Sequence, residues 1–238
     1  VINIFKTEPE LLKAFAHFFI EKAQNTIAKY EKCNVSLSGG NSPKKIYELL
    51  TLPDFRERID WKKIFFFFGD ERYVPLNDKR SNALMVKMAL FDPLNIAASQ
   101  IFYIDTSLSP AEAAKKYADT ITSHFEGQLA RFDLMLLGLG NNAHTASLFP
   151  YSPVLTELSA TVRSVFISEQ NSYRITMTAP LINQARHIAF LVYGTSKAEA
   201  IKHVLKDATD TERYPAQLIF PKDGDLQWFL DEAAAIGL

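Results

Sequence analysis

Four apolar runs in this chain end alike, each at a glycine followed by polar residues. They are Val35-Ser36-Leu37-Ser38 before Gly39, Phe65-Phe66-Phe67-Phe68 before Gly69, Leu134-Met135-Leu136-Leu137 before Gly138, and 189–193 before Gly194. Short runs of this kind fit buried strands, and the four consecutive phenylalanines leave no polar face at all, as in a parallel sheet covered on both sides. After each glycine the polar residues lead into a segment of helical character, so one layout of strand, turn and helix occurs four times. In open α/β sheets ligands bind outside the carboxyl ends of the strands. The four polar turns are therefore expected around one crevice.

The remaining segments fill out an α/β fold with a mostly parallel central sheet flanked by helices. Thr7-Glu8-Pro9-Glu10 is a capped helix start, and apolar residues at helical spacing carry that helix to about Lys32. Helices are also expected over 44–50, with Pro43 at the first position, over 81–90, from Ser109 to about Leu129, over 145–149 and 180–185, from Gly194 to about Leu205, and over 226–235. Strands are expected over 34–38, 61–68, 101–104, 161–167, 174–178, 188–193 and 216–220. No repeat, low-complexity tract or linker divides the chain, so residues 1–238 read as a single domain.

Composition narrows the functional classes. With 47% apolar and 22% charged residues the chain is an ordinary globular one, and a formal net charge of −1 offers no electrostatic surface for nucleic acid. No apolar run is long enough to span a bilayer, and the amino terminus has no basic segment followed by a long apolar one. The single cysteine, Cys33, makes no internal disulfide, so the simplest compartment is the cytoplasm.

The stretch Asp133 to Pro150 is the chemical centre of the sequence. Its apolar run, two glycines and two asparagines bring His144 past the end of a strand to the entrance of the helix over 145–149, where an imidazole moves protons near neutral pH and backbone donors hold developing negative charge. Ser38, Gly39, Gly40, Asn41 and Ser42 form a small polar turn with a helix start, a cradle suited to phosphate. Arg72 and Lys197 follow two other glycines and suit a phosphate clamp. The five histidines are scattered with no metal-binding spacing, G-x-S-x-G is absent, and Gly138-Leu139-Gly140 lacks the third glycine of a dinucleotide turn.

Taken together, SLSGGNSPKKIY, FFFGDERYVP, DLMLLGLGNNAHTASLFP, RITMTAP, FLVYGTSKAEAI, PAQLIFP and WFLDEAAA resemble, in order, the 6-phosphogluconolactonase family. The resemblance implies the fold shared with glucosamine-6-phosphate deaminase and ribose-5-phosphate isomerase. It implies hydrolysis of 6-phospho-D-glucono-1,5-lactone to 6-phosphogluconate, with no metal or organic cofactor and a small sugar-phosphate lactone as the partner. His144 is then the general base and acid, supported by residue 142. Arg72 and Lys197 are the phosphate ligands, with Arg174 a third, and Asp70 and Glu71 orient Arg72 or the sugar hydroxyls. Where the family usually reads Asp-Gly-His, this chain reads Asn142-Ala143-His144. The neutral Asn142 supplies no charge to the imidazolium, and Ala143 stands where a glycine would supply a positive φ. Two rival readings follow: a sugar-phosphate binding protein with impaired catalysis, and an amino-sugar-phosphate isomerase or deaminase. The second is disfavoured because no carboxylate follows His144 closely.

Overall fold

A computed structural model describes all 238 residues. Nine strands and eight α-helices run β1 (Ile2–Phe5), α1 (Glu8–Tyr30), β2 (Cys33–Leu37), α2 (Asn41–Leu50), α3 (Pro53–Arg56), β3 (Ile64–Phe68), β4 (Asp70–Arg72), α4 (Asn82–Val86), α5 (Asp92–Leu94), α6 (Pro110–His124), β5 (Leu134–Leu137), β6 (Val162–Ile167), β7 (Ser172–Met177), α7 (Ala179–Ile182), β8 (His187–Val192), α8 (Ala198–Leu205) and β9 (Asp225–Asp231). Six strands form a wholly parallel sheet in the order β1-β9-β8-β5-β2-β3. The chain runs outward from β2 to β3, then returns to β5 on the other side of β2. That reversal opens the sheet at the carboxyl ends of β2 and β5. A second, antiparallel sheet of order β4-β7-β6 stands beside it. No helix is long and apolar enough to cross a membrane.

Local sequence explains the long helices. Thr7 caps α1 by accepting the Glu10 N–H, and Leu11, Phe15, Phe19 and Ala23 recur every four residues as its buried stripe. Glu31 ends that helix at φ 62°, with its N–H bonded to the Ile27 carbonyl. Ser109 and Glu112 close a reciprocal capping box on α6. The four phenylalanines lie in β3, where Phe66, Phe67 and Phe68 are fully buried between the helix layers.

Several segments depart from the sequence reading. The largest change is at the two ends of the chain. Residues 226–235 are not a helix: Asp225–Asp231 is a strand inserted between β8 and β1, and β1 itself was not foreseen. Segment 216–220 makes one 3-10 turn, Pro215–Leu218, rather than a strand. In 101–104 only Ile101 bridges to Phe66. The helix over 81–90 passes from α4 into a π turn at Lys87–Phe91, then into α5. Helix α6 stops at His124, and the positive φ angles of Glu126 and Gly127 reverse the chain before Leu129. Because α2 begins at Asn41, Pro43 is its third residue and not its first. Of the four repeated layouts, only those after β2 and β8 lead into helices. Gly69 leads into β4, and Gly138 into a loop.

Candidate active site

The four strand ends do converge. Their turns line one crevice of about 450 Å³, together with β4 and the β6–β7 hairpin. Ser38, Gly39, Gly40, Asn41 and Ser42 form one wall, Asp70, Arg72 and Arg174 another, and His144 and Lys197 complete it. Two predicted residues are not among its lining, Glu71 and Asn142.

The wall at 38–42 is fixed from below. Tyr47, fully buried on α2, accepts the Ser38 N–H at 3.0 Å and donates to the Ser38 carbonyl at 2.8 Å. Gly40 sits at φ 102°, a conformation suited to glycine, and gives α2 no side-chain cap, so the first N–H groups of the helix are left free for an anion. Gly39 is bound to be glycine for another reason: a Cβ there would lie 1.8 Å from the Asn82 amide oxygen.

His144 occupies a tight loop rather than a helix entrance. The loop is closed by Gly140 N–H to the His144 carbonyl at 2.8 Å, Ala143 N–H to the Gly140 carbonyl at 3.0 Å, and the Thr145 hydroxyl to the Gly138 carbonyl at 2.9 Å. Ala143 (φ 59°), Ala146 (φ 47°) and Tyr151 (φ 58°) all lie in the left-handed region. These reversals prevent 145–149 from winding into the expected helix. The imidazole stacks on Phe149, ring centroids 4.0 Å apart, and packs so closely on Gly140 that a Cβ there would meet its Nδ1 at 2.0 Å. Asn142 stands outside the crevice, and its Oδ1 is 2.5 Å from His144 Nδ1. An amide oxygen only accepts, so Nδ1 carries the hydrogen and Nε2 keeps its lone pair. Burial, with Lys197, Arg174 and Arg72 nearby, pulls this imidazole down to about 4, leaving it neutral and basic-form at pH 7.

The cations come from three elements. Arg72 and Arg174 are direct cross-strand partners in β4 and β7. Arg72 donates to the Arg80 carbonyl at 2.6 Å, and Arg174 contacts the Gln170 side chain while its Nε, though buried, has no partner. Lys197 donates to Asn141 Oδ1 at 2.7 Å, on the loop that carries His144. Its turn is set by Gly194, at φ 90°, whose N–H is held by both Asp231 carboxylate oxygens at the end of β9.

The two acidic residues of β4 point apart, as strand alternation requires. Asp70 reaches the crevice, accepting the Ser147 hydroxyl at 2.6 Å and tying the His144 loop to β4. Glu71 turns inward. It accepts the N–H groups of Arg72, Asn82 and Ala83 and the Ser81 hydroxyl, all within 3.0 Å, and so anchors the start of α4. It supports the Arg72 backbone and touches no guanidinium. The sequence reading passed over Asn82 and Gln170, which also line the crevice. Neither follows a strand-ending glycine, so nothing local distinguished them.

A neutral imidazole, an N–H-rich turn and three cations in one crevice suit a phosphorylated substrate with a hydrolysable or enolisable carbonyl. The comparisons with known proteins agree. A 6-phosphogluconolactonase from Synechocystis sp. is 39% identical over 217 residues, covering 89% of this chain and 87% of its own. One from Haemophilus influenzae is 34% identical, covering 92% and 95%. The crystal structure of 6-phosphogluconolactonase from Thermotoga maritima superposes with a TM-score of 0.85 at 28% identity, over 97% of this chain and 99% of its own. The family described as glucosamine-6-phosphate isomerases/6-phosphogluconolactonase matches residues 6–228, nearly the whole length, and the chain belongs to that family.

Proposed function

We propose that this protein hydrolyses 6-phospho-D-glucono-1,5-lactone to 6-phospho-D-gluconate, in the oxidative pentose phosphate pathway, without a metal and in the cytoplasm. Its relatives carry the name of that activity, and the observation that carries the reading here is the Asn142–His144 contact. It fixes a neutral imidazole with a free Nε2 among three cations. In this reading the phosphate dianion sits among Arg72, Arg174 and Lys197, with N–H groups at the start of α2 close by. His144 Nε2 takes a proton from water as the oxygen attacks the lactone carbonyl carbon. Crevice N–H donors hold the oxyanion. The tetrahedral adduct then collapses, the ring C–O bond breaks, and the imidazolium returns the proton to the leaving ring oxygen. Asn142 orients the ring but carries no charge to stabilise the imidazolium, so the intrinsic step is slower than with a carboxylate there.

The test is lactone hydrolysis measured against the spontaneous background. His144→Ala should bring the rate near that background, and saturating EDTA should leave the wild-type rate unchanged. Lys197→Ala should weaken the phosphorylated lactone far more than the unphosphorylated one. A largely active His144→Ala variant, or equal losses on both lactones, would overturn the assignment. Binding of 6-phosphogluconate without turnover would favour the binding-protein reading instead.

A further inference from the structure

We propose that the protein carries a second anion site, at the end of the parallel sheet remote from the crevice, that takes a small, multiply charged phosphate compound. A pocket of about 430 Å³ lies between α1 and the amino ends of β8 and β9. Lys22, Lys29, Arg131 and Arg186 line it, against the carboxylates of Asp223 and Asp225. Both Asp225 oxygens accept from the Gln227 amide, at 2.9 and 2.8 Å. Asp133, behind the pocket, is buried and taken up by Arg186 Nε at 3.1 Å and by Asn34. The lining thus carries four cations against two carboxylates; Lys22 is paired with Glu21 at 3.2 Å and Arg186 with Asp133, which leaves Lys29 and Arg131 with no carboxylate partner.

Unpartnered buried atoms point the same way. Buried polar side-chain atoms without a hydrogen-bond partner are rare, and each calls for an explanation. This chain has four. Asn82 Oδ1 and Arg174 Nε belong to residues of the crevice, and Arg131 Nε and His187 Nδ1 belong to residues of this pocket. The His187 Nδ1 to Asp225 separation, 3.6 Å, is too long for a hydrogen bond. Burial first, and then the adjacent Lys22, hold the His187 imidazole below its ordinary range against the opposing pull of Asp225. The two guanidiniums offer forked donors that match phosphate oxygens, and the ammonium groups add point charges. Tyr30, under the Arg186 guanidinium at 4.7 Å, is the one hydrophobic residue on the wall, so a lipid tail or an apolar ligand finds no matching surface.

The site is separate from catalysis. Strand β8 begins at His187 in this pocket and ends at Leu191 and Val192 in the crevice. Six residues of strand place the two pockets roughly 20 Å apart. Sheets of this type take their ligands at the carboxyl ends, so a site at the amino ends is an addition to the fold's usual use.

Pyrophosphate, titrated calorimetrically in metal-free buffer, is the probe. The Arg72→Ala/Lys197→Ala double variant serves as the background, because it takes two of the three cations out of the crevice and so weakens anion binding there. Saturable binding of one pyrophosphate is expected, with a Kd on the order of 0.1 mM. Lys29→Glu should weaken it about tenfold or more, and so should raised salt. Backbone amide shifts should centre on Arg131 and His187. Lys29 is exposed, so its substitution leaves the fold intact; Lys22→Glu is a second variant, and a melting curve checks each. The proposal is overturned if the background variant shows no saturable binding up to roughly 10 mM. Binding that is indifferent to both lysine substitutions, or shifts centred elsewhere, would overturn it as well.

Discussion

Ala143 holds a conformation that glycine adopts more readily. At φ 59° its methyl crowds the following carbonyl, a strain of about 1–2 kcal/mol, partly offset by the burial of that methyl. Ala143→Gly should therefore stabilise the protein by about 1 kcal/mol, read as a rise of roughly 2–4 °C in Tm. Its neighbour Asn142 invites the complementary change. Asn142→Asp would put a charge-assisted contact where a neutral one now lies 2.5 Å from the ring. The His144 pKa, now about 4, should rise when followed by ring proton shifts. The acid limb of the rate profile should move up with it, and kcat should rise by about tenfold or more. An unchanged pKa would mean that residue 142 has no electrostatic hold on the ring. Stability depends on the same proton in the same direction. Because the folded pKa is depressed, the contribution of neutral His144 is whole above the unfolded value near 6.5 and is lost as pH falls toward 4. The positive φ at 143 was legible in the sequence, since the motif asks for glycine there. The roles of Asn82 and Glu71 were not. Both depend on how α4 docks against β4, a contact between segments about ten residues apart with no local signature.

At the scale of elements, two buried tyrosines do the same work on neighbouring strands. Tyr47 bridges the N–H and carbonyl of Ser38 just past β2, and Tyr117 bridges those of Phe68 at the end of β3, at 2.7 and 3.2 Å. Each fixes the point where a strand becomes a loop. Tyr47→Phe would leave both Ser38 groups without their partner, at a cost of about 2 kcal/mol. It should also raise KM more than a mutation of equal destabilisation placed far from the crevice, because the 38–42 wall loses its anchor. Equal KM effects would reduce Tyr47 to a packing residue. The strands these tyrosines serve were readable because glycines punctuate them. β9 was not, because 226–235 mixes a strand-like LQWFL with the helix-forming DEAAA. Long-range pairing decided the matter: Phe190 and Trp228 stack at 3.9 Å across β8 and β9, while the carboxylate of Asp231, the last residue of β9, accepts the N–H groups of Gly194 and Ala234. The helix expected at 145–149 failed for the opposite reason, since local reversals at Ala143 and Ala146 overrode helical propensity.

For the whole molecule, the parallel sheet was foreseen and the antiparallel one was not, although two of its strands were. Nothing in the sequence marks the three residues of β4 as a strand, and β4 acquires its meaning only from its partner. That pairing sets Arg72 directly opposite Arg174. Like charges in cross-strand register repel, by up to about 1 kcal/mol. Burial and Arg72 both hold the Arg174 guanidinium below its ordinary range, and no carboxylate is paired with either arginine side chain. Folding alone gives no reason for such an arrangement. Arg174→Gln should accordingly raise the Tm of the free protein by roughly 2–4 °C, while reducing the further rise that inorganic phosphate produces. A variant that melts lower, or one that phosphate stabilises as much as wild type, would contradict this. Arg72 and Arg174, with no carboxylate paired to either side chain, are thus the cationic half of a salt. Thermal stability becomes a direct gauge of occupancy, and the pair that weakens the free chain is what makes a phosphorylated molecule complete it.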